Sequence, residues 1–345
     1  MTTKKERGFT LIELLVVMLI ITIVIAITLP ALGLVRDLSR KTATNGLMQQ
    51  LNTATSQFQT DNRRLPGYFT ARDMGDTQNL TQGFSAAQNM LLDLIGGDAV
   101  STQAGANRVQ VGPKNVGKVY VDVQGLGAGA AAGKYAQISG KYLAAQTAAG
   151  AQVGDANNVQ MPTIVDAWGM PLLVWSKDEQ TIGQVGSADD FASVTYNNNQ
   201  PARYYWASNA AFLQATAAGA KGINQDDAAK GSILAENVSA NGRRNSLIGL
   251  LGSPSALRSE DTASGYQQML PSAPRGSLVL HSAGSNGVFM GRTERGAKTL
   301  PDGLTLWYGL NFKTAQNQPH LDSNNKPTSL DVRDGFDDLL VVGGN

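Results

Sequence analysis

Two hydrophobic patterns follow one another at the start of the chain. Phe9 to Leu29 reads FTLIELLVVMLIITIVIAITL, 21 residues with a single charge at Glu13. At 1.5 Å per residue such a run spans roughly 30 Å, the thickness of one bilayer core. After Pro30 the pattern becomes periodic. Leu47, Leu51, Ala54 and Phe58 recur at spacings of four, three and four, with Gln49, Gln50, Asn52 and Gln57 between them. That is one apolar stripe on a helix, facing a globular body. The two patterns predict one helix from Phe9 to Asp61, bent or partly melted near Pro30 and Gly33. Gly33 and Gly46 each weaken it by about 1 kcal/mol relative to Ala. Leu65-Pro66-Gly67 stops it.

Beyond the helix the signals are shorter. Ala86 to Leu94 reads as a short helix. Leu172 to Trp175, Arg203 to Ala207, Ser277 to His281 and Leu304 to Tyr308 read as strands. Ser282-Ala283-Gly284-Ser285-Asn286-Gly287 reads as a turn whose Asn-Gly suits positive φ. Asp337 and Asp338 enter a last strand over Leu339 to Val342. The stretch from about Ala210 to Pro274 is rich in polar and small residues. It reads as an insertion on the outer face of the sheet, partly helical at Ser246 to Leu251. Residues 70–160 are a second enlarged region. Within them Gly125 to Gly133 (GLGAGAAAG) lacks the glycine spacing and preceding strand of a dinucleotide fingerprint, and reads as a flexible loop.

Composition narrows the chemistry. The 345 residues suffice for one large domain or two smaller ones. Net charge is +1 and charged residues are 16%, which gives neither a basic nucleic-acid binder nor an acidic tail. The 38 glycines fit a loop-rich body. The absence of Cys excludes disulfides and thiolate metal sites, and two His leave little for acid–base work. No nucleophile elbow, phosphate loop or zinc-protease pattern is present. His281 and Ser282 are neighbours on a predicted strand and point to opposite faces, so adjacency does not make them a nucleophile–base pair. Asp189-Asp190 and Asp226-Asp227 read as solvated loop charges, and Arg63-Arg64 and Arg243-Arg244 as isolated pairs. The expectation is a non-enzyme without nucleic acid as a partner.

The leader MTTKKERG places Lys4, Lys5 and Arg7 before the apolar run, which keeps the N-terminus cytoplasmic and sends the remainder outward. A removable secretory signal would carry a shorter apolar region and a small-residue cleavage site. A buried soluble helix would not be apolar for this long. A plain anchor accounts for everything but Glu13, whose carboxylate costs a few kcal/mol in lipid and needs a partner.

Gly8-Phe9-Thr10-Leu11-Ile12-Glu13-Leu14-Leu15-Val16-Val17 resembles the prepilin peptidase site of type IV pilins and type II secretion pseudopilins. The resemblance implies an α+β pilin-like fold: a long N-terminal helix on an antiparallel β-sheet, here with large loop-rich insertions. It implies a leader over 1–8, a membrane and filament-core helix over 9–29, its amphipathic continuation over 30–61 with a kink at Pro30, and a periplasmic body over 62–345. It implies cleavage between Gly8 and Phe9, N-methylation of Phe9, and pairing of Glu13 with the terminal amine of a neighbouring subunit. The implied partners are prepilin peptidase, other pseudopilin subunits and an inner-membrane assembly platform. The implied location is a single pass through a bacterial inner membrane. Asp166-Ala167-Trp168-Gly169-Met170-Pro171 is similar to the Asp-x-Trp-Gly-x-Pro sequence of the major pseudopilin. The Ser282 to Gly287 turn is similar to its Ser-x-Gly-x-Asp-Gly turn, with Asn286 in place of Asp. There the turn and a downstream Asp pair hold a structural Ca²⁺, which carries over to Asn286, Asp337 and Asp338. The implied function is a structural filament subunit driving secretion; the alternative is a minor or tip pilin that binds cargo, a surface or DNA.

Overall fold

The computed structural model describes residues 10–96, 99–101, 108–123, 126, 134–147, 160–214, 231–253, 271, 273–292 and 337–343. Helix α1 runs Leu11–Asn62 without interruption through Pro30, Gly33 and Gly46. The expected partial melting near Pro30 and Gly33 is absent. Pro30 removes one amide donor, which a 52-residue helix tolerates. The helix stops at Arg63, which takes the left-handed conformation usual just past a helix end (φ 55). Contacts divide the chain into two units, Met1–Ala43 and Thr44–Asn345.

In the first unit the apolar side chains of α1 lie open. Leu11, Ile12, Leu14, Leu15, Met18 and Ile27 are all more than half exposed, and so are Leu32, Leu34, Val35 and Leu38. Its most apolar 18-residue window has a mean hydropathy of 3.0 and none of it is buried, so it is long and apolar enough to cross a membrane.

In the second unit the stripe Leu47, Leu51, Ala54 and Phe58 is buried as its spacing predicts, and Met48 joins it. The body is built on a three-stranded antiparallel sheet with Leu278–Ser282 in the centre, flanked by Leu339–Gly343 and Leu173–Ser176. With β1 (Arg108–Val111), β2 (Val119–Asp122), β3 (Leu143–Thr147) and β4 (Gln160–Ile164) forming two hairpin-like pairs, the sheet strands are β5 (Leu173–Ser176), β6 (Leu278–Ser282) and β7 (Leu339–Gly343). Leu280 sits opposite Val174 on one side and Val341 on the other. Alternation then separates two cores. Val174, Leu278, Leu280, Leu339 and Val341 face the core that holds the α1 stripe, together with α2 (Ala86–Leu91), β1, β2 and β4. Leu173, Trp175 and Val279 face a second core with Trp206, Phe212, Phe289 and helix α3 (Ala240–Leu251). A sheet buried on both faces explains why its strands read as continuous apolar runs.

Three sequence readings change here. The helix expected at Ser246 to Leu251 begins at Ala240, where Ser239 accepts from Gly242 N and caps it. The strand expected over Arg203 to Ala207 is only Tyr204–Tyr205, followed by a 3₁₀ turn over Trp206–Asn209. Its polar atoms need that geometry. Tyr204 Oη donates to Gly276 O at 2.6 Å, and Trp206 Nε1 donates to Leu234 O at 2.7 Å. The buried Asn209 amide donates to Val174 O and accepts from Val174 N, closing the free edge of β5 in place of a strand. Finally, Asp189 and Asp190 are not merely solvated. Asp189 pairs with Arg244, and Asp190 completes a capping box with Ser187. Asp226-Asp227, the strand at Leu304 to Tyr308 and most of Gly125 to Gly133 lie outside the described residues.

Candidate processing and assembly site

Gly8 and Phe9 lie outside the described residues, and the helix begins just after them. Thr10 caps it. Thr10 N and Thr10 Oγ1 both donate to Glu13 Oε2, at 2.8 and 2.7 Å, and Glu13 N donates to Thr10 Oγ1 at 3.3 Å. This is a reciprocal capping box: two donors of the first turn are satisfied and a carboxylate sits at the positive end of the helix. Thr10 is a site residue that the sequence reading missed. Its signal was present as Thr-x-x-Glu directly before an apolar run. The box explains how Glu13 is tolerated at the head of a helix whose next charged residue is Arg36. Its Oε2 is held within the chain by both Thr10 donors.

Residues 3–29 match the family model of the prokaryotic N-terminal methylation motif. This motif is the prepilin signal of type IV pilin-like proteins, and the N-terminus of the chain is pilin-like in that sense. No curated protein and no solved structure matches the chain. The pilin-like signal makes the open apolar helix a candidate inner-membrane anchor and, after processing, a polymerisation element.

The second site lies in the body, where β6 ends. The Asp166 to Pro171 segment is a turn closed by one carboxylate. Asp166 Oδ1 accepts from Trp168 N and Met170 N, both at 2.9 Å, and Oδ2 accepts from Ser282 Oγ at 2.6 Å. Burial pushes the Asp166 carboxyl up, and these bonds oppose the rise. Gly169 supplies the positive φ of 87° that the turn requires. Thr44 Oγ1, on the buried part of α1, accepts from Ala167 N. The turn therefore fastens the sheet to the α1 stripe.

His281 faces the other way, as strand alternation predicts. Its Nε2 lies 2.7 Å from Asp338 Oδ2, and both side chains are fully buried. Trp175 Nε1, which can only donate, faces Nδ1 at 3.5 Å, so the ring proton sits on Nε2 and is given to Asp338. Met290 N donates to the same Asp338 oxygen at 2.7 Å. Burial lowers the His281 pKa to about 3, and burial with Asp337 close by holds the Asp338 carboxyl well above its ordinary range.

Of the three residues suggested for Ca²⁺, Asn286 and Asp337 meet at the turn and the Asp338 carboxylate meets His281. Asp337 meets the turn: its Oδ2 accepts from Ser285 Oγ at 2.6 Å and from Asn286 N at 2.9 Å. Asn286 Oδ1 accepts from Val288 N at 2.6 Å. Asp338 is turned into the second core. Among the described residues Oδ1 of Asp337 and of Asp338 has no hydrogen-bond partner, yet the two face different surroundings. Ca²⁺ takes six to eight oxygens, and among the described residues no group of three or more His, Asp or Glu could hold a metal. Asp337 closes the turn through its bonds to Ser285 and Asn286. Gly284 (φ 65) lies so close to Asp337 O that a Cβ there would collide with it.

Proposed function

We propose that the protein is a structural subunit of a type II secretion pseudopilus or a related type IV pilus-like filament. Prepilin peptidase removes residues 1–8 and Phe9 is N-methylated. The subunit waits in the inner membrane with its body in the periplasm, and an assembly platform draws it into a filament made with other pseudopilins. Its work is mechanical and it carries out no catalysis. The single observation that carries this reading is the open apolar half of α1, headed by Glu13 in a capping box and lying largely within the methylation motif. An apolar helix of this length is stable only in lipid or against its own copies. The Asp166 turn and the Ser282 to Gly287 turn favour the secretion branch, because they resemble the major pseudopilin and touch each other through Ser282 and Asp166.

A second reading is a minor or tip subunit that binds cargo. The second core favours it: α3 and the 231–234 segment cover the outer face of the sheet and enlarge the body. Abundance separates the two readings, since a core subunit dominates sheared filaments and a tip subunit is scarce in them.

Glu13→Ala tests the assembly role. Membrane insertion should persist while incorporation into filaments falls sharply. Normal incorporation of that variant would overturn the pairing of Glu13 with a neighbour's amine.

A further inference from the structure

The uncharged stretch of α1 is longer than the anchor the sequence first suggests. It runs from Leu14 to Val35, 22 residues between Glu13 and Arg36. As a helix it measures about 33 Å, close to the hydrocarbon thickness of about 30 Å. Setting this stretch in a bilayer puts Glu13 at one boundary and Arg36 at the other. Arg40 follows one turn later, about 6 Å farther along the axis. The headgroup layer adds about 5–7 Å on each side of the core, so both arginines fall within it.

The local structure suits a phosphate. Arg36 and Arg40 are four residues apart and share one face. Arg36 is exposed and Arg40 is partly exposed. None of the ion pairs among the described residues uses either of them. Asp37 is the one carboxylate nearby, three residues from Arg40 and four from Lys41, so this turn keeps a net positive charge. Helical side chains lean toward the helix N-terminus, so both guanidinium groups lean back toward the membrane. Their planar forks match phosphodiester oxygens. The exposed Leu32, Leu34, Val35 and Leu38 around them would contact acyl chains while the arginine stems reach to the interface. Removal of the leader would leave Arg36 and Arg40 as the first basic side chains of the processed chain.

We infer that Arg36 and Arg40 form a clamp for the phosphate of anionic phospholipids in the leaflet at the C-terminal end of the span, holding the subunit there before assembly. This rests on the membrane reading of α1, and the test separates the two. The full-length protein is reconstituted in phosphatidylcholine vesicles containing a minor fraction of phosphatidylglycerol. Spin-labelled phosphatidylglycerol and phosphatidylcholine then report which lipid is immobilised beside the protein. An Ile20→Cys variant, in a chain that otherwise has no Cys, reports whether the helix centre is shielded from a water-soluble thiol reagent. The expected result is a shielded Cys and a preference of roughly fivefold or more for phosphatidylglycerol. The preference should fall severalfold in Arg36→Gln/Arg40→Gln, to what Lys4, Lys5 and Arg7 of the leader sustain, and persist in Lys41→Gln. A shielded Cys with no lipid preference, or a preference unchanged in the double variant, would overturn the clamp and leave the span standing. A Cys open to the reagent would refute the span, and the clamp with it.

Discussion

Helix α1 sets two solvents side by side in one element. Before Ala43 its apolar residues lie open; from Thr44 onward its stripe is buried to within a few per cent of completely. The secondary structure is the same and the pattern is different. The first part is apolar all round, which a soluble body has no surface to match. The second part is apolar on one side, which the sheet and α2 cover. The difference shows that a continuous helix does not imply a continuous environment. Where the pattern changes from filled to periodic, the partner changes from lipid or another copy to this chain's own sheet.

The largest effect should come from placing a carboxylate in each half. Leu51→Asp buries an unpaired charge in the core around α1 and should abolish the cooperative unfolding transition of the body. Ile20→Asp should leave that transition intact and block membrane insertion. Circular dichroism of detergent-solubilised full-length protein, with membrane flotation, reads both outcomes. A body that unfolds with Ile20→Asp but survives Leu51→Asp would erase the distinction.

The next effect sharpens the contrast between two carboxylates, Glu13 at an open helix start and Asp338 in a closed core. His281 has its pKa lowered from 6.5 to about 3, so its contribution to stability is lost as pH falls from 6.5 toward 3. Asp338 is raised, so its contribution is present at low pH and lost as pH rises above its ordinary 3.8. Above the ordinary Asp value of 3.8 the two slopes have opposite signs, so each partly offsets the other. Asp338→Asn should unmask a loss of stability on acidification. His281→Gln should unmask a loss as pH rises. Each slope can reach about 1.4 kcal/mol per pH unit, read from denaturant midpoints at several pH values. Parallel slopes for wild type and both variants would show that the pair does not titrate as one unit.

The smallest effects concern the caps. Ser239→Ala at the start of α3 should cost the body about 1 kcal/mol. Thr10→Ala removes the same kind of cap from α1 and should leave the body's stability unchanged. Thermal melts of the two variants check this. A drop with Thr10→Ala equal to that with Ser239→Ala would mean that the start of α1 contributes to the body.

What could be read from the sequence followed pattern strength. The α1 stripe, the strands at Leu173–Ser176 and Leu278–Ser282, and the Asp pair before Leu339–Gly343 were legible because each combines an apolar stripe or run with a nearby turn signal. The residues from Arg203 to Asn209 were misread because buried Tyr204, Trp206 and Asn209 obey distant partners at Gly276, Leu234 and Val174. Local propensity does not encode such partners. The start of α3 was missed because Ala240 to Arg244 is a weak helix former, stabilised by a cap and by Arg243 stacked on Trp206 at 4.3 Å. At the candidate site the motif positions were legible and their contacts were not. Nothing in the spacing of Asp337 and Asp338 says that one closes a turn while the other meets His281.

The central claim is that this open helix is the processed assembly element of a pilin-like subunit. The most direct measurement is mass spectrometry of the N-terminal peptide of the protein recovered from membranes of cells that contain prepilin peptidase. The account predicts a peptide that begins at Phe9 and carries one added methyl group on its amine. An N-terminus retained at Met1, or cleaved at any other bond, would contradict it.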